Sequence, residues 1–102
     1  VMIMHDIDTI MPCQDPSVIS ETVGGELYLF NPKNGALKKT NDVGTLIWSL
    51  CDGKCSIDDA VKAITSSWNI DPGTARNDLL SFINQLKSEG FVTEDRTTED
   101  NG

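Results

Sequence analysis

Residues 40–53 constrain this chain more than any other stretch. They read Thr-Asn-Asp-Val-Gly-Thr-Leu-Ile-Trp-Ser-Leu-Cys-Asp-Gly. Asn41 (or Thr40) offers a side-chain cap for a helix start, and Gly53 offers a stop. Val43, Leu46, Ile47 and Leu50 recur at i, i+3, i+4 and i+7, which gathers four apolar side chains on one face. A helix this short is not stable alone in water, so the stripe predicts tertiary partners.

Those partners are legible on either side. Residues 18–23 are β-permissive, Gly24-Gly25 makes a turn, and Glu-Leu-Tyr-Leu-Phe over 26–30 is a strong strand, apolar on both faces and expected to be covered on both. Asn34-Gly35 signals a tight hairpin, from which residues 36–40 return as a short strand. Downstream, Ser56-Ile57-Asp58-Asp59 is a capping-box-like start with acids in the first turn. Its helix carries the stripe Ile57, Ala60, Val61, Ile64 and Trp68. Asp71-Pro72 opens a third helix as cap and first-turn proline, with a core face of Ala75, Leu79, Phe82, Ile83 and Leu86 and a stop at Gly90. Phe91-Val92 reads as a brief extended return. The order β-β-β-α-α-α predicts an α+β, winged helix-turn-helix-like domain, a three-stranded antiparallel sheet followed by three helices. It spans residues 17–92, behind an N-terminal arm over 1–16 that is partly ordered against it. The last stretch, 93–102, has no apolar side chain and is expected to be a disordered acidic tail. The arm is a candidate for exchange between two protomers of a homodimer.

Composition narrows the function. Sixteen acidic against eight basic residues give a net charge of −8 over 102 residues, which argues against non-specific nucleic-acid or anionic-membrane binding. No apolar run approaches the ~18 residues of a membrane span, and the first eight residues lack the basic and apolar regions of a signal peptide. Three cysteines make no disulfide framework, so a cytoplasmic protein with reduced thiols is expected. His5 is the lone histidine and lies in the expected arm, whereas a Ser- or Cys-based mechanism needs a base positioned beside its nucleophile. Cys13, Cys51, Cys55 and His5 are a conceivable zinc set, but Cys51 reads more simply as a small apolar residue at a helix end. Asp58-Asp59 is explained by the helix dipole, and Gly24-Gly25 is too short to cradle a nucleotide. No catalytic residue, cofactor or metal is expected. A winged helix still raises DNA binding as an alternative, with Arg76, Asn77, Asn84, Gln85 and Lys87 on the third helix set against Asp78 and Glu89. An acidic carrier protein would need an Asp-Ser-Leu-type attachment site, and there is none.

Leu-Tyr-Leu-Phe-Asn-Pro-Lys-Asn-Gly, followed by the Asn-x-x-Gly-x-x-Ile-Trp-x-Leu core and its Asp-Gly, resembles the PqqD family of RiPP precursor-peptide recognition elements. The similarity continues through Ile70-Asp71-Pro72 and Asp78-Leu79-Leu80-Ser81-Phe82-Ile83 to Gly90-Phe91-Val92, covering roughly residues 23–92. Thr40 stands where the family usually carries an apolar residue, often leucine.

The resemblance implies a non-catalytic peptide chaperone. It would bind the leader of a ribosomally made precursor by strand addition and present the rest to a modifying enzyme, a radical SAM protein in the pyrroloquinoline quinone branch. Carried onto this chain, the peptide-binding edge is Ala36, Leu37, Lys38, Lys39 and Thr40. The facing groove wall is Arg76, Leu80, Ile83, Asn84 and Lys87. Leu80 lies about 100° off the buried stripe of its helix, where core packing does not require a leucine. Lys38, Lys39 and Arg76 would make a basic groove suited to a leader with carboxylates.

Overall fold

The computed structural model describes residues 10–93; the start of the expected arm, His5 included, and the expected tail from 94 on lie outside them. The elements are β1 (Cys13–Gln14), β2 (Ile19–Val23), β3 (Glu26–Asn31), β4 (Ala36–Thr40), α1 (Asp42–Ser49), α2 (Ile57–Ser67), α3 (Pro72–Ser88) and β5 (Val92–Thr93). The antiparallel sheet runs β2-β3-β4, and the three helices follow it, as the sequence pattern predicts. The Phe91-Val92 return pairs with β1, separately from that sheet.

The β3–β4 connection is wider than a two-residue Asn-Gly turn. The Asn31 carbonyl accepts the N–H groups of Asn34 at 3.3 Å and Gly35 at 2.7 Å, so the loop holds four residues. Gly35 is left-handed (φ 77°) but Asn34 is not. Pro32 sets the φ of a type I turn immediately after Asn31, which displaces the left-handed step to the glycine alone.

Asn41 caps α1 by accepting the Gly44 N–H at 3.1 Å. The helix ends before Gly53 is reached. The Leu50 N–H is shared between the Leu46 and Ile47 carbonyls at 3.2 and 3.1 Å, which tightens the last turn. Asp52 then accepts the N–H groups of Lys54 and Cys55, both at 2.8 Å, and turns the chain toward α2. The buried face of α1 is Gly44, Ile47 and Trp48 rather than the Val43–Leu46–Ile47–Leu50 stripe, whose other three members are half-buried. Gly44 explains the rotation. A methyl there would sit 2.8 Å from Thr40 Cβ, so its absence lets the helix close onto the end of β4.

Ser56 and Asp71 cap α2 and α3 as expected. Ile57, Ala60, Val61 and Ile64 of α2 and Ala75, Leu79, Ile83 and Leu86 of α3 are buried with Leu27, Leu29, Ile47, Trp48 and Phe91 in one core. In β3, Leu27 and Leu29 are buried, Tyr28 is half-buried and Phe30 is exposed. Among the described residues the strand is therefore covered on one face only, because all three helices lie on that side.

Residues from Ile10 onward belong to the packed domain. Met11 is fully buried, and its N–H donates to Cys55 O at 2.8 Å. Gln14 N–H donates to Cys51 O at 3.0 Å and Asp15 N–H to Phe91 O at 2.9 Å, so the segment is laced to both the α1–α2 loop and the chain's last described turn. The Asp15 carboxylate accepts the Ser17 N–H and pairs with Lys33 at 3.0 Å, and both hold it below the ordinary carboxylate range.

One buried amide ties the hairpin to α3. Asn31 is 2% exposed. Its Nδ2 donates to Gly90 O at 2.7 Å and its Oδ1 accepts the Lys33 N–H at 2.9 Å. Asn31→Ala removes a partner from each, and should lower the unfolding free energy by about 2–3 kcal/mol in urea titrations, as expected for two orphaned groups.

Candidate functional site

β4 is hydrogen-bonded to β3 on one side, and no described strand pairs with its other edge. Alternation along β4 divides its side chains between the two faces of the sheet. Ala36, Lys38 and Thr40 lie opposite Asn31, Leu29 and Leu27, whose side chains are buried toward the helices. Leu37 and Lys39 lie opposite Phe30 and Tyr28 on the outer face. The lysine pair adjacent in sequence is therefore split by the strand.

Lys38 reaches across to α3. Its Nζ donates to Gln85 Oε1 at 3.1 Å, pairs with Glu89 at 3.2 Å and lies 5.7 Å from the Phe82 ring centroid. Beyond it, Thr40 opens onto a cavity of about 300 Å³ with Val43, Ile47 and Ile70 in its lining and Asp78 and Phe82 of α3 opposite. Asp78, Phe82, Gln85 and Glu89 recur at i, i+4, i+7 and i+11, a single stripe of α3 facing β4. The site is a groove between an open strand edge and this stripe, closed over at Lys38 and apolar at the Thr40 end.

The groove wall differs from the expected one. At 100° per residue, Arg76, Leu80, Asn84 and Lys87 centre about 180° around α3 from the Asp78–Glu89 stripe. Arg76 pairs with Asp58 of α2, away from β4. Leu80 is exposed on that same far flank, and Ile83 is buried in the core. Nor is the groove basic. Lys38 is balanced by Glu89, Lys39 pairs with Glu26 at 3.7 Å on the outer face, and Asp78 adds an acid to the wall. Sequence reading names Asp78, Gln85 and Glu89 on the third helix but does not place them on this wall. Phe82, read as core face, is partly buried against the core and lines the groove as well. Helical periodicity identifies the buried face of α3, but its two polar flanks carry similar side chains and nothing local says which one meets the sheet.

Residues 26–92 match the family model described as Coenzyme PQQ synthesis protein D (PqqD). The chain belongs to the PqqD family. It is 28% identical over 58 residues to a PqqA binding protein of Rhodopseudomonas palustris, a match covering 57% of each chain. The chain thus spans little more than half the length of that curated relative. Among solved structures it resembles TbiB1 in complex with the TbiA(beta) leader peptide, with a TM-score of 0.70 and 27% identity. The fold is also that of a lasso peptide synthetase B1 complexed with its leader peptide, with a TM-score of 0.68 and 24% identity. Each likeness covers 78% of this chain and 93% of the other.

The thiols of this PqqD-family chain lie away from the groove, around the turn from α1 to α2. Cys51 is buried and its Sγ donates to Ile47 O at 3.3 Å. Burial, aided by the neighbouring Asp52, pushes its pKa up to about 12. Burial also raises Cys55. Among the described residues no group of three or more His, Cys, Asp or Glu side chains is placed to hold a metal ion. Cys51 packs as a small apolar residue, the simpler of its two sequence readings. Iodoacetamide at pH 8 should leave Cys51 unmodified in the folded protein and alkylate it in urea, read by peptide mass spectrometry.

Proposed function

We propose that this chain is a non-catalytic carrier for a ribosomally made precursor peptide. An extended leader segment adds to the open edge of β4 as a further strand, lying against the Asp78–Phe82–Gln85–Glu89 stripe of α3. The observation that carries this reading is the juxtaposition of a strand edge that no described strand pairs with and a cavity of about 300 Å³ at one end, lined by Val43, Ile47, Ile70 and Phe82 with Asp78 at its wall. Main-chain groups of β4 would supply the peptide's donors and acceptors, and the cavity would take an apolar side chain. The family membership and the 27% identical leader-peptide complex support the same reading. Because Lys38 is already balanced by Glu89, recognition would rest on strand pairing and the apolar anchor more than on charge.

Holding the leader raises the local concentration of the peptide at a separate modifying enzyme, which the family resemblance suggests is a radical SAM protein acting in the cytoplasm. No observation favours DNA binding. The cation best placed on the outward flank of α3, Arg76, is committed to Asp58, and Asp78 and Glu89 line the opposite flank.

The test is calorimetric titration with a synthetic leader peptide of the PqqA kind that the curated relative is named for binding. Binding is expected at micromolar affinity or better. Phe82→Ala and Asp78→Lys should each weaken it by about tenfold or more, ~1.4 kcal/mol, with the fold intact by circular dichroism. Raising salt from about 50 to about 500 mM should change affinity less than about threefold, since no net charge is being neutralised. Absence of binding would overturn the proposal. A larger loss from Leu80→Ser than from Phe82→Ala would place the peptide on the other flank of α3.

A further inference from the structure

Among the described residues nothing covers the face of the sheet turned away from the helices, and strand register dictates what stands on it. Ile19, Phe30 and Leu37 lie opposite one another and form a row across all three strands. Glu21, Tyr28 and Lys39 form the next row, and Val23 beside Glu26 ends the face. Five large apolar side chains are exposed among the described residues, and four of them are here: Ile19 at 56%, Val23 at 57%, Phe30 at 38% and Leu37 at 70%. Singly exposed apolar residues are ordinary, but a continuous row of them on so small a domain marks a contact surface.

The pattern of rows complements itself. Consider a second copy rotated by 180° about an axis parallel to β3 and lying between two such faces. It sets β2 of one copy over β4 of the other. Ile19 then meets the partner's Leu37, Phe30 meets the partner's Phe30, and Glu21 meets the partner's Lys39, with each contact made twice. An axis running across the strands through the middle row would instead lay the apolar row on the Val23–Glu26 end. One through the apolar row would stack that row on itself but carry Glu21 away from the partner's Lys39. Only the axis along β3 matches both hydrophobicity and charge. Aligned face-to-face packing with the ordinary twist of about −30° keeps the central rows in register.

We propose that the outer face of the β2-β3-β4 sheet is an isologous interface with a second copy of this chain. The apolar row would form its centre, flanked by two symmetry-related Glu21–Lys39 pairs. Lys39 would exchange its exposed intrachain pairing with Glu26 for the intermolecular one. Agreement of a single face with itself, in apolar rows and in charge, favours a second copy over an unrelated protein. The interface does not use the helix side of the sheet, so each protomer would keep its β4–α3 groove open. The inference stands independently of what that groove binds.

Sedimentation equilibrium of the full chain over about 1–500 μM tests it without any peptide. The mass should rise with concentration from 11.1 kDa toward twice that value. Ile19→Glu, at an exposed position, should raise the dimer dissociation constant by about tenfold or more while its circular dichroism stays that of the parent. Glu21→Lys and Lys39→Glu should each weaken association, and the two together should restore it. A mass of 11.1 kDa throughout would overturn the proposal and leave the face to a different protein. A dimer unaffected by Ile19→Glu, or a double variant as weak as the single ones, would overturn it as well.

Discussion

The geometry of the groove depends on the side chain of Asn31. This buried amide joins the last residue of β3, the hairpin turn at Lys33 and the carbonyl of Gly90 just beyond α3. Asn34 adds a second link from the turn to Glu89 O, and Lys33 reaches Asp15 in the N-terminal segment. The hairpin tip is thereby anchored to the end of α3, and β4, which begins five residues after Asn31, must run alongside that helix. At the other end of β4, the close approach of Gly44 to Thr40 holds α1 against the strand. The groove is the space left between these two fixed ends.

A second constraint is the size of the chain. Three short helices bury one face of a three-stranded sheet and cannot wrap to the other. The sheet consequently has two dissimilar surfaces. The inner side contributes Lys38 and Thr40 to the groove, and the outer side displays Ile19, Phe30 and Leu37 around charged Glu21 and Lys39. Strand alternation assigns neighbours in sequence to different surfaces, which is why Lys38 and Lys39 cannot share a role. Side chains of β4 can then serve a face contact while its main-chain edge remains available.

Much of the fold was legible because it is encoded by local chemistry. Asn41, Ser56 and Asp71 satisfy the N–H groups that begin each helix, so the caps were recognisable without knowing what the helices touch. The stripes of α2 and α3 are long enough for periodicity to name their buried residues. It misled on α1, where eight residues allow several nearly equivalent faces and a glycine, invisible to a hydrophobic pattern, sits at the closest contact. It also read β3 as covered on both sides, because Tyr28 and Phe30 are apolar whether or not a second layer exists to receive them. Residues 1–16 read as an arm partly ordered against the domain, but where it is laced on was not legible, because hydrogen bonds from Met11, Gln14 and Asp15 to residues 51–55 and 91 leave no periodic trace.

The sequence by itself determined the order of elements, their caps and the family, since each is written in residues within a few positions of one another. Through the family resemblance it also pointed to Ala36–Thr40 as the candidate edge. Only the tertiary structure decided which flank of α3 meets that edge. Asp78, Phe82, Gln85 and Glu89 do so while Arg76, Leu80, Asn84 and Lys87 point elsewhere, although both sets are equally compatible with an amphipathic helix. The flank is chosen by contacts between residues about fifty positions apart, Asn31 to Gly90 and Lys38 to Gln85, whose sequence separations are 59 and 47. Periodicity reports the rotation of a helix relative to its own core, and long-range hydrogen bonds set where that core places it beside the sheet.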